Sequence, residues 1–358
     1  MYRPSFLLGA RPQRAAGAQF DHQVISPEYF SRCALIAGGT PAVPVVDMNF
    51  PFDIPINKAF DAVGFGLNAV DHLIVVPAYP DFDSKIRLLD HQQAAGGQTA
   101  SAMVGLQRLG LKTAYAGRFG SDAEGKFGFG ELAAENVDMQ FAEVIEGARN
   151  QIAFIIIDAR NGERTIIWDR DERVSYTLDD APVDFASLGR VLHLDAHDPP
   201  ACVRMAQAAR AAGTIVSADV DNIYEGLPEL LPLVDILITS KEFPRRLTGI
   251  TDERTSLEEL KARYGCGIVG LTKGVEGALI YCEGQFTESR AFEVPGGCRD
   301  TTGSGDAFHA GFLYGLLSEK NVEESLRLAN AVAALNCRSL GARTALPTKI
   351  EVNEFLKS

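Results

Sequence analysis

Asp300-Thr301-Thr302-Gly303-Ser304-Gly305-Asp306 follows an extended run, Phe286 to Val294. It leads into Ala307, Phe308, Phe312, Leu313, Leu316 and Leu317, whose spacing predicts a helix. The glycines on either side of Ser304 free the backbone to present consecutive N–H groups, and the first turn of any helix leaves such donors unpaired. Gly303, Ser304 and Gly305 are therefore a candidate anion hole. A lone aspartate at a helix start is ordinarily a cap favoured by the macrodipole. Beside an anion hole, Asp306 has instead the placement of a general base, taking a proton from an alcohol as a phosphate arrives. That role needs a carboxylate ionised at neutral pH, and the helix dipole is expected to keep its pKa low.

Other patterns suggest chemistry that their surroundings oppose. Gly64-Phe65-Gly66-Leu67-Asn68-Ala69 spells a dinucleotide fingerprint, but an extended segment, His72 to Pro77, stands where a helix is required. Gly120 to Lys126 satisfies G-x-x-x-x-G-K, yet Phe127 has no hydroxyl for magnesium, and Asp122 and Glu124 would set carboxylates against phosphates. His193 and His197 flank Asp195 without a third metal ligand and read as pocket or core residues.

With 358 residues, 46% of them hydrophobic, the chain can bury one large α/β core or two small ones. A net charge of −13 with no basic stripe opposes nucleic-acid partners. Six scattered cysteines read as free thiols of a reducing, cytoplasmic compartment. No apolar run is long enough to span a bilayer, and the start lacks a signal-peptide pattern. Residues 1–58, rich in Gly, Ala and Pro, form an extension expected to be poorly ordered. Arg3, Arg11 and Arg14 without any acid in the first twenty residues hint at a transit peptide or an early start codon, with Met48 as an internal start.

The elements that must position these residues follow from periodicity. Phe60 to Gly66 reads as a buried first strand. Extended segments near 72–78 and 85–92, with Gln151 to Asp158 and Arg164 to Asp169 joined through Asn161-Gly162, supply a small separate sheet. From residue 188 strands alternate with helices, which implies a mainly parallel sheet covered on both faces. Asp71, Gly97, Asp195, Asp219 and Thr272 then fall at or near strand ends, where such folds bind ligands.

The 300–312 segment closely resembles the second signature of the ribokinase-like (PfkB) carbohydrate kinase family, D-T-x-G-A/S-G-D followed by a helix. Gly96-Gly97 with Ser101 resembles that family's G-G-x-x-x-N, serine replacing the asparagine, and Gly117 to Gly125 resembles its G-x-x-G-x-D-x-x-G segment. Thr272 to Gly277 resembles its T-x-G-x-x-G nucleotide segment. The likeness runs over residues 60–356, nearest the ketohexokinase and sulfofructose kinase branch. It implies a ribokinase-like α/β domain over 59–358, with a mainly parallel central sheet and a β-sheet lid drawn from 72–92 and 151–170. It also implies ATP-dependent phosphorylation of a hydroxyl on a small sugar, a ketose by the branch it is nearest, in a homodimer joined through the lid.

By the same resemblance, Asp306 is the general base and Gly303, Ser304 and Gly305 receive the phosphoryl group. Asp71, assisted by Asn68, Gly96 and Gly97, binds sugar hydroxyls. Thr272, Gly274, Gly277, Asn330 and Gly341 contact ATP. Within the lid, Trp168 could stack on a sugar face or nucleobase and Lys85 could meet an anionic substituent. Ser240 and Phe243 occupy the N-x-x-E positions that order Mg2+, leaving Glu242 as a substitute or the ion to nucleotide phosphates and water. Asp300 and Thr302 match positions that hold a monovalent cation in some relatives. The alternatives are a nucleoside kinase and a catalytically silent sugar sensor on the same fold.

Overall fold

The computed structural model describes residues 48–358. In chain order its first strands are β1 (Phe60–Phe65), β2 (Ala69–Val76), β3 (Asp90–Gly96), β4 (Thr113–Ala116), β5 (Arg118–Gly120), β6 (Glu143–Ile145) and β7 (Ile152–Asp158). They continue with β8 (Arg164–Asp169), β9 (Gly189–Leu194), β10 (Ile215–Val220), β11 (Ile236–Ser240), β12 (Ile268–Thr272), β13 (Ala278–Cys282) and β14 (Gln285–Ser289). The large sheet has the order β14-β13-β12-β11-β10-β9-β1-β4. Pairing is parallel from β4 through β12 and antiparallel at β12–β13 and β13–β14.

Its strands are apolar on both faces because both are covered. Val191, Ile215, Ile236, Ile268 and Ile280 pack with the helices Gln98–Arg108, Ser304–Leu317 and Val322–Asn336. Their neighbours Leu192, Val216, Leu237, Val269 and Leu279 pack on the opposite side with Pro199–Ala211, Glu242–Thr248 and Glu253–Tyr264. The segment from Met48 to Lys58, which composition assigns to the extension, lies against the first of these layers. Met48, Phe50, Phe52 and Ile54 alternate onto the core, with the Phe50 ring 5.7 Å from that of Phe312. The packed domain therefore starts earlier than composition indicates; residues 1–47 lie outside the described residues.

The smaller sheet has the order β3-β2-β7-β8. Two strand expectations shift for want of partners. The segment 85–92 becomes strand only from Asp90, because β2 ends at Val76 before Pro77 and leaves Lys85 to Leu88 nothing to pair with. The run 286–294 ends as strand at Ser289, opposite Ala278, where β13 begins.

The ends of β1 and β9 are locked by Asp195, which is fully buried. Its Oδ2 accepts from the Leu67 N–H at 2.5 Å and the Thr99 hydroxyl at 2.8 Å, while Oδ1 lies 3.4 Å from His197 Nδ1. Burial pushes this carboxyl up, but the His197 hydrogen bond and charge and the donors on Oδ2 outweigh it and hold its pKa at about 2. The stabilisation is thus complete above the unfolded value of about 4 and fades as pH falls towards 2. Asp195→Ala, which strands these donors, should cost about 3 kcal/mol or more of stability in denaturant titration. Asp195→Asn should flatten the acid limb of stability between roughly pH 4 and pH 2.

Candidate active site

A cavity of about 430 Å³ opens at the carboxyl ends of the parallel strands, between the large sheet and the inner face of the small one. Alternation along the small sheet decides which side chains enter it. Ala153, Ile155, Ile166 and Trp168 line the cavity, whereas Phe154 and Ile167, paired across β7 and β8, face away with His72.

The floor of one end is the start of the helix Ser304–Leu317. Gly303, its N-cap, sits at φ 74°, in the left-handed region, and a methyl there would run into the Ala342 backbone. The approach to it is fixed by Asp300. Its Oδ1 accepts from the Thr302 N–H (2.8 Å) and hydroxyl (2.7 Å), and its Oδ2 accepts from the Gly341 N–H (2.7 Å). Asn336 Nδ2 donates to the Thr302 carbonyl at 3.2 Å, and Thr301 N–H donates to Gly162 of the lid hairpin at 3.2 Å. Ser304, Gly305 and Asp306 then form the first helical turn at the cavity wall, with open space beyond Gly305.

Asp306 and Asp71 both line this cavity and both are buried. The low pKa expected for Asp306 from the helix dipole is not what its surroundings produce. Burial drives it well above the usual carboxylate range, Asp219 and Asp71 add to that, and Arg164 and Arg343 oppose. Removing a carboxylate from water outweighs a dipole that acts over one turn. Asp71 is likewise pushed up, to about 7, by burial, with Arg343 the main counterweight.

The remaining sequence-derived residues divide. Gly97 lines the cavity at φ 95°, and Gly96 lies so close to Asp71 that a side chain there would overlap the carboxylate. Asn68 is turned aside: its Nδ2 donates to the Arg118 carbonyl at 2.8 Å, and its Oδ1 is buried without a partner. Trp168 is on the wall; Lys85 is exposed on the loop between β2 and β3 and is not part of it. Thr272 lines the far end. Gly274 and Gly277, at φ 57° and 100°, shape the turn after it. Asn330 ties its helix to the Ser289 carbonyl at 3.1 Å and Gly341 braces Asp300, so both act through backbone rather than on the wall.

Glu242 is exposed and taken up by Arg245 at 2.5 Å, outside the wall. Phe243, in the N-x-x-E glutamate position, is buried in the core. The carboxylates that do face this end are Asp219 and Asp221. Asp219 accepts from Gln98 at 3.5 Å and lies 3.3 Å from His309 Nε2; despite burial, His309 holds its carboxyl below the usual value. His193 is engaged by the Ser217 hydroxyl and His197 by Tyr224. Arg164, on the wall with Nη1 2.8 Å from Thr301 Oγ1, and the buried Arg343 were not singled out from sequence. Arg164 sits two residues after the Asn161-Gly162 turn, a position from which a lid side chain returns to the body; Arg343 had no local signal.

A buried carboxylate on the first turn of a helix, under a four-stranded flap on a mainly parallel, doubly covered sheet, is the arrangement of a ribokinase-like fold. A profile described as pfkB family carbohydrate kinase matches residues 65–349. The ribokinase of Haemophilus influenzae is 29% identical over 309 residues, covering 84% of this chain and 99% of its own. A fructokinase of Escherichia coli is 30% identical over 301 residues, covering 78% and 95%. A nucleoside kinase of Methanothermobacter thermautotrophicus is 26% identical over 294 residues, covering 80% and 92%. The Arabidopsis thaliana ribokinase structure with ribose and ATP superposes with a TM-score of 0.71 at 23% identity, covering 84% and 99%, a likeness of fold. The chain belongs to the PfkB family of carbohydrate kinases, and it is an ATP-dependent sugar kinase.

The two glycines that flank Ser304 should respond differently to substitution. Gly303→Ala forces a left-handed residue against Ala342 and is expected to lose about 1–3 kcal/mol of stability together with activity. Gly305→Ala meets nothing within 4 Å beyond its own helix, so its melting temperature should stay near wild type while turnover falls, because the methyl enters the cavity.

Proposed function

We propose that this kinase transfers the γ-phosphoryl group of ATP to a hydroxyl of a small sugar, with Asp306 as general base. The observation that carries the reading is the shared corner: Asp306 and the open first-turn amides of Ser304–Leu317 face one cavity that also holds Asp71. Asp71 and Gly97 orient the acceptor, so that the reacting hydroxyl meets Asp306. Asp306 takes its proton, and the amides of Gly303, Gly305 and Asp306 stabilise charge on the moving phosphoryl oxygens, that of Ser304 being held by the Thr301 carbonyl at 3.1 Å. The inner lid face, Ile155, Ile166 and Trp168, excludes water.

Asp219 and Asp221 offer hard oxygen donors at the phosphate end and fit Mg2+, directly or through water, in place of Glu242. Bound there with the nucleotide, the ion would neutralise phosphate charge. The Asp300 oxygens accept from the protein's own N–H and O–H groups, so a monovalent cation would have to draw on other oxygens nearby. The acceptor is proposed to be a ketose, as the Ser240-Lys241-Glu242 segment suggests; Trp168 on the wall also suits a nucleobase and supports the nucleoside alternative. With no helix among the described residues long and apolar enough to cross a membrane and a charge of −13, a cytoplasmic enzyme without membrane or nucleic-acid partners is proposed.

A panel of ketoses, aldoses and nucleosides, read by ATP consumption, tests the assignment. Asp306→Asn should lower turnover by about 10³-fold or more with ATP binding retained, and its melting temperature should equal or exceed wild type, since a costly buried carboxyl is removed. Because Asp306 is pushed up, kcat/KM should rise with pH along an acid limb lying above the ordinary aspartate value of about 4. An active Asn variant would end the proton-acceptor role. Acceptor binding without turnover across the panel would favour the sensor.

The outward lid face, where Phe154 of the inner strand β7 and Ile167 of the edge strand β8 are exposed side by side, is proposed to join two copies. Sedimentation should report a dimer, and Ile167→Asp should shift it to monomer.

A further inference from the structure

The glycine turn at Gly96-Gly97 lacks the asparagine amide of the G-G-x-x-x-N form, since Ser101 stands there. Another part of the chain fills that corner. Arg343 is buried beneath it. Its Nε donates to Ser101 Oγ at 3.1 Å, its Nη2 donates to the Gly96 carbonyl, and its Nη1 is buried without a partner. Its backbone is pinned in turn, because Arg108 Nη1 donates to the Arg343 and Leu346 carbonyls, both at 2.9 Å. Gly96 is also the residue on which the Asp71 carboxylate rests. One residue earlier, Ala342 is the backbone against which Gly303 packs. The segment 342–343 thus touches the anion hole and the acceptor corner together.

We propose that Arg343 is the positioning residue of the acceptor corner: it replaces the missing amide as the brace of the glycine turn and supplies the positive charge that lets Asp71 receive hydroxyls as a carboxylate. The inference rests on the reading of Asp71 as the acceptor-binding group. A carboxylate that accepts several hydroxyl hydrogen bonds must be ionised, and burial opposes ionisation. The charged groups that bear on Asp71 are Asp300 and Asp306, which repel its charge, and Arg164 and Arg343, which favour it. Arg164 is on the exposed lid strand with one nitrogen given to Thr301, whereas Arg343 is built into the body. Burial weighs against the Arg343 guanidinium as well, and Asp71 is the first influence that offsets it. An asparagine would brace the turn equally but supply no charge, and that difference can be measured.

The experiment follows the Asp71 carboxyl by carbon-13 NMR titration, assigned by the signal lost in Asp71→Asn, in wild type, Arg343→Lys and Arg343→Met. The wild-type midpoint should lie near about 7. Arg343→Met should raise it by about one unit or more, a tenfold change in ionisation, and Arg343→Lys should keep most of the wild-type value. With the sugar identified by the panel, Arg343→Met should raise the acceptor KM at about pH 7 by about tenfold with the KM for ATP within about twofold, and the deficit should narrow at about pH 9. Ser101→Asn combined with Arg343→Met restores an amide brace without the charge; it should fold and still show the raised midpoint. An unmoved Asp71 midpoint in either folded Met variant, or an acceptor defect equal at both pH values, overturns the proposal. The titration needs no turnover, so a panel without activity would count against the kinase reading and not against this one.

Discussion

The site depends on holding the backbone N–H groups of the helix start at one fixed aim: that of Ser304 is tied to the Thr301 carbonyl at 3.1 Å, while Gly305 and Asp306 follow it at the cavity wall. Asp300 does most of this. It lies in no strand or helix, is wholly buried, and uses both oxygens to fasten Thr302 and Gly341, which seats Gly303 against Ala342. Donors that are already aimed need no reorganisation when charge develops on a phosphoryl group, and in a water-poor cavity they act with greater strength than in solution. The strand ends, the second glycine turn and the lid are arranged around that junction.

The cavity is acidic before any ligand enters. Asp71, Asp219, Asp221 and Asp306 are on its wall and Arg164 is the cation there. The buried Asp71, Asp219 and Asp306, with the exposed Asp221 at the rim, cannot all carry charge cheaply, and the surroundings sort them. Asp219 has His309 at 3.3 Å and stays low, whereas Asp71, Asp221 and Asp306 are raised. A polyphosphate entering such a space needs accompanying positive charge, which agrees with the divalent ion proposed at the Asp219 end.

Local pattern carried much of this into the sequence. The Asn161-Gly162 turn, the apolar strands from 188 onward and the glycine-flanked helix start are short-range signals, and the structure has each of them close to the expected bounds. Where reading along the chain fell short, the cause was a partner elsewhere. Lys85 opens an extended run in the sequence, but β2 ends at Val76 and leaves it no strand to pair with. The raised carboxyl of Asp306 is not legible along the chain, because the helix dipole is visible in sequence and burial is not. Arg343 is 242 residues from Ser101, and no periodicity links an arginine near the C-terminus to a serine in the first glycine turn. The first strand-like packing of Met48 to Ile54 was hidden in the same way, since alternation over so few residues means little until the helix it covers is known.

The Gly162 carbonyl accepts both the N–H and the hydroxyl of Thr301, at 3.2 and 3.1 Å, while Arg164 from the same hairpin reaches that hydroxyl. Flap and floor are therefore stitched together two residues upstream of Gly303. A load that prises the hairpin from the body is transmitted to the backbone that aims the amides before it disturbs any reactive side chain. The arrangement works as a mechanical interlock: an unseated flap loosens the backbone leading into the Ser304–Leu317 helix, with no separate signal required.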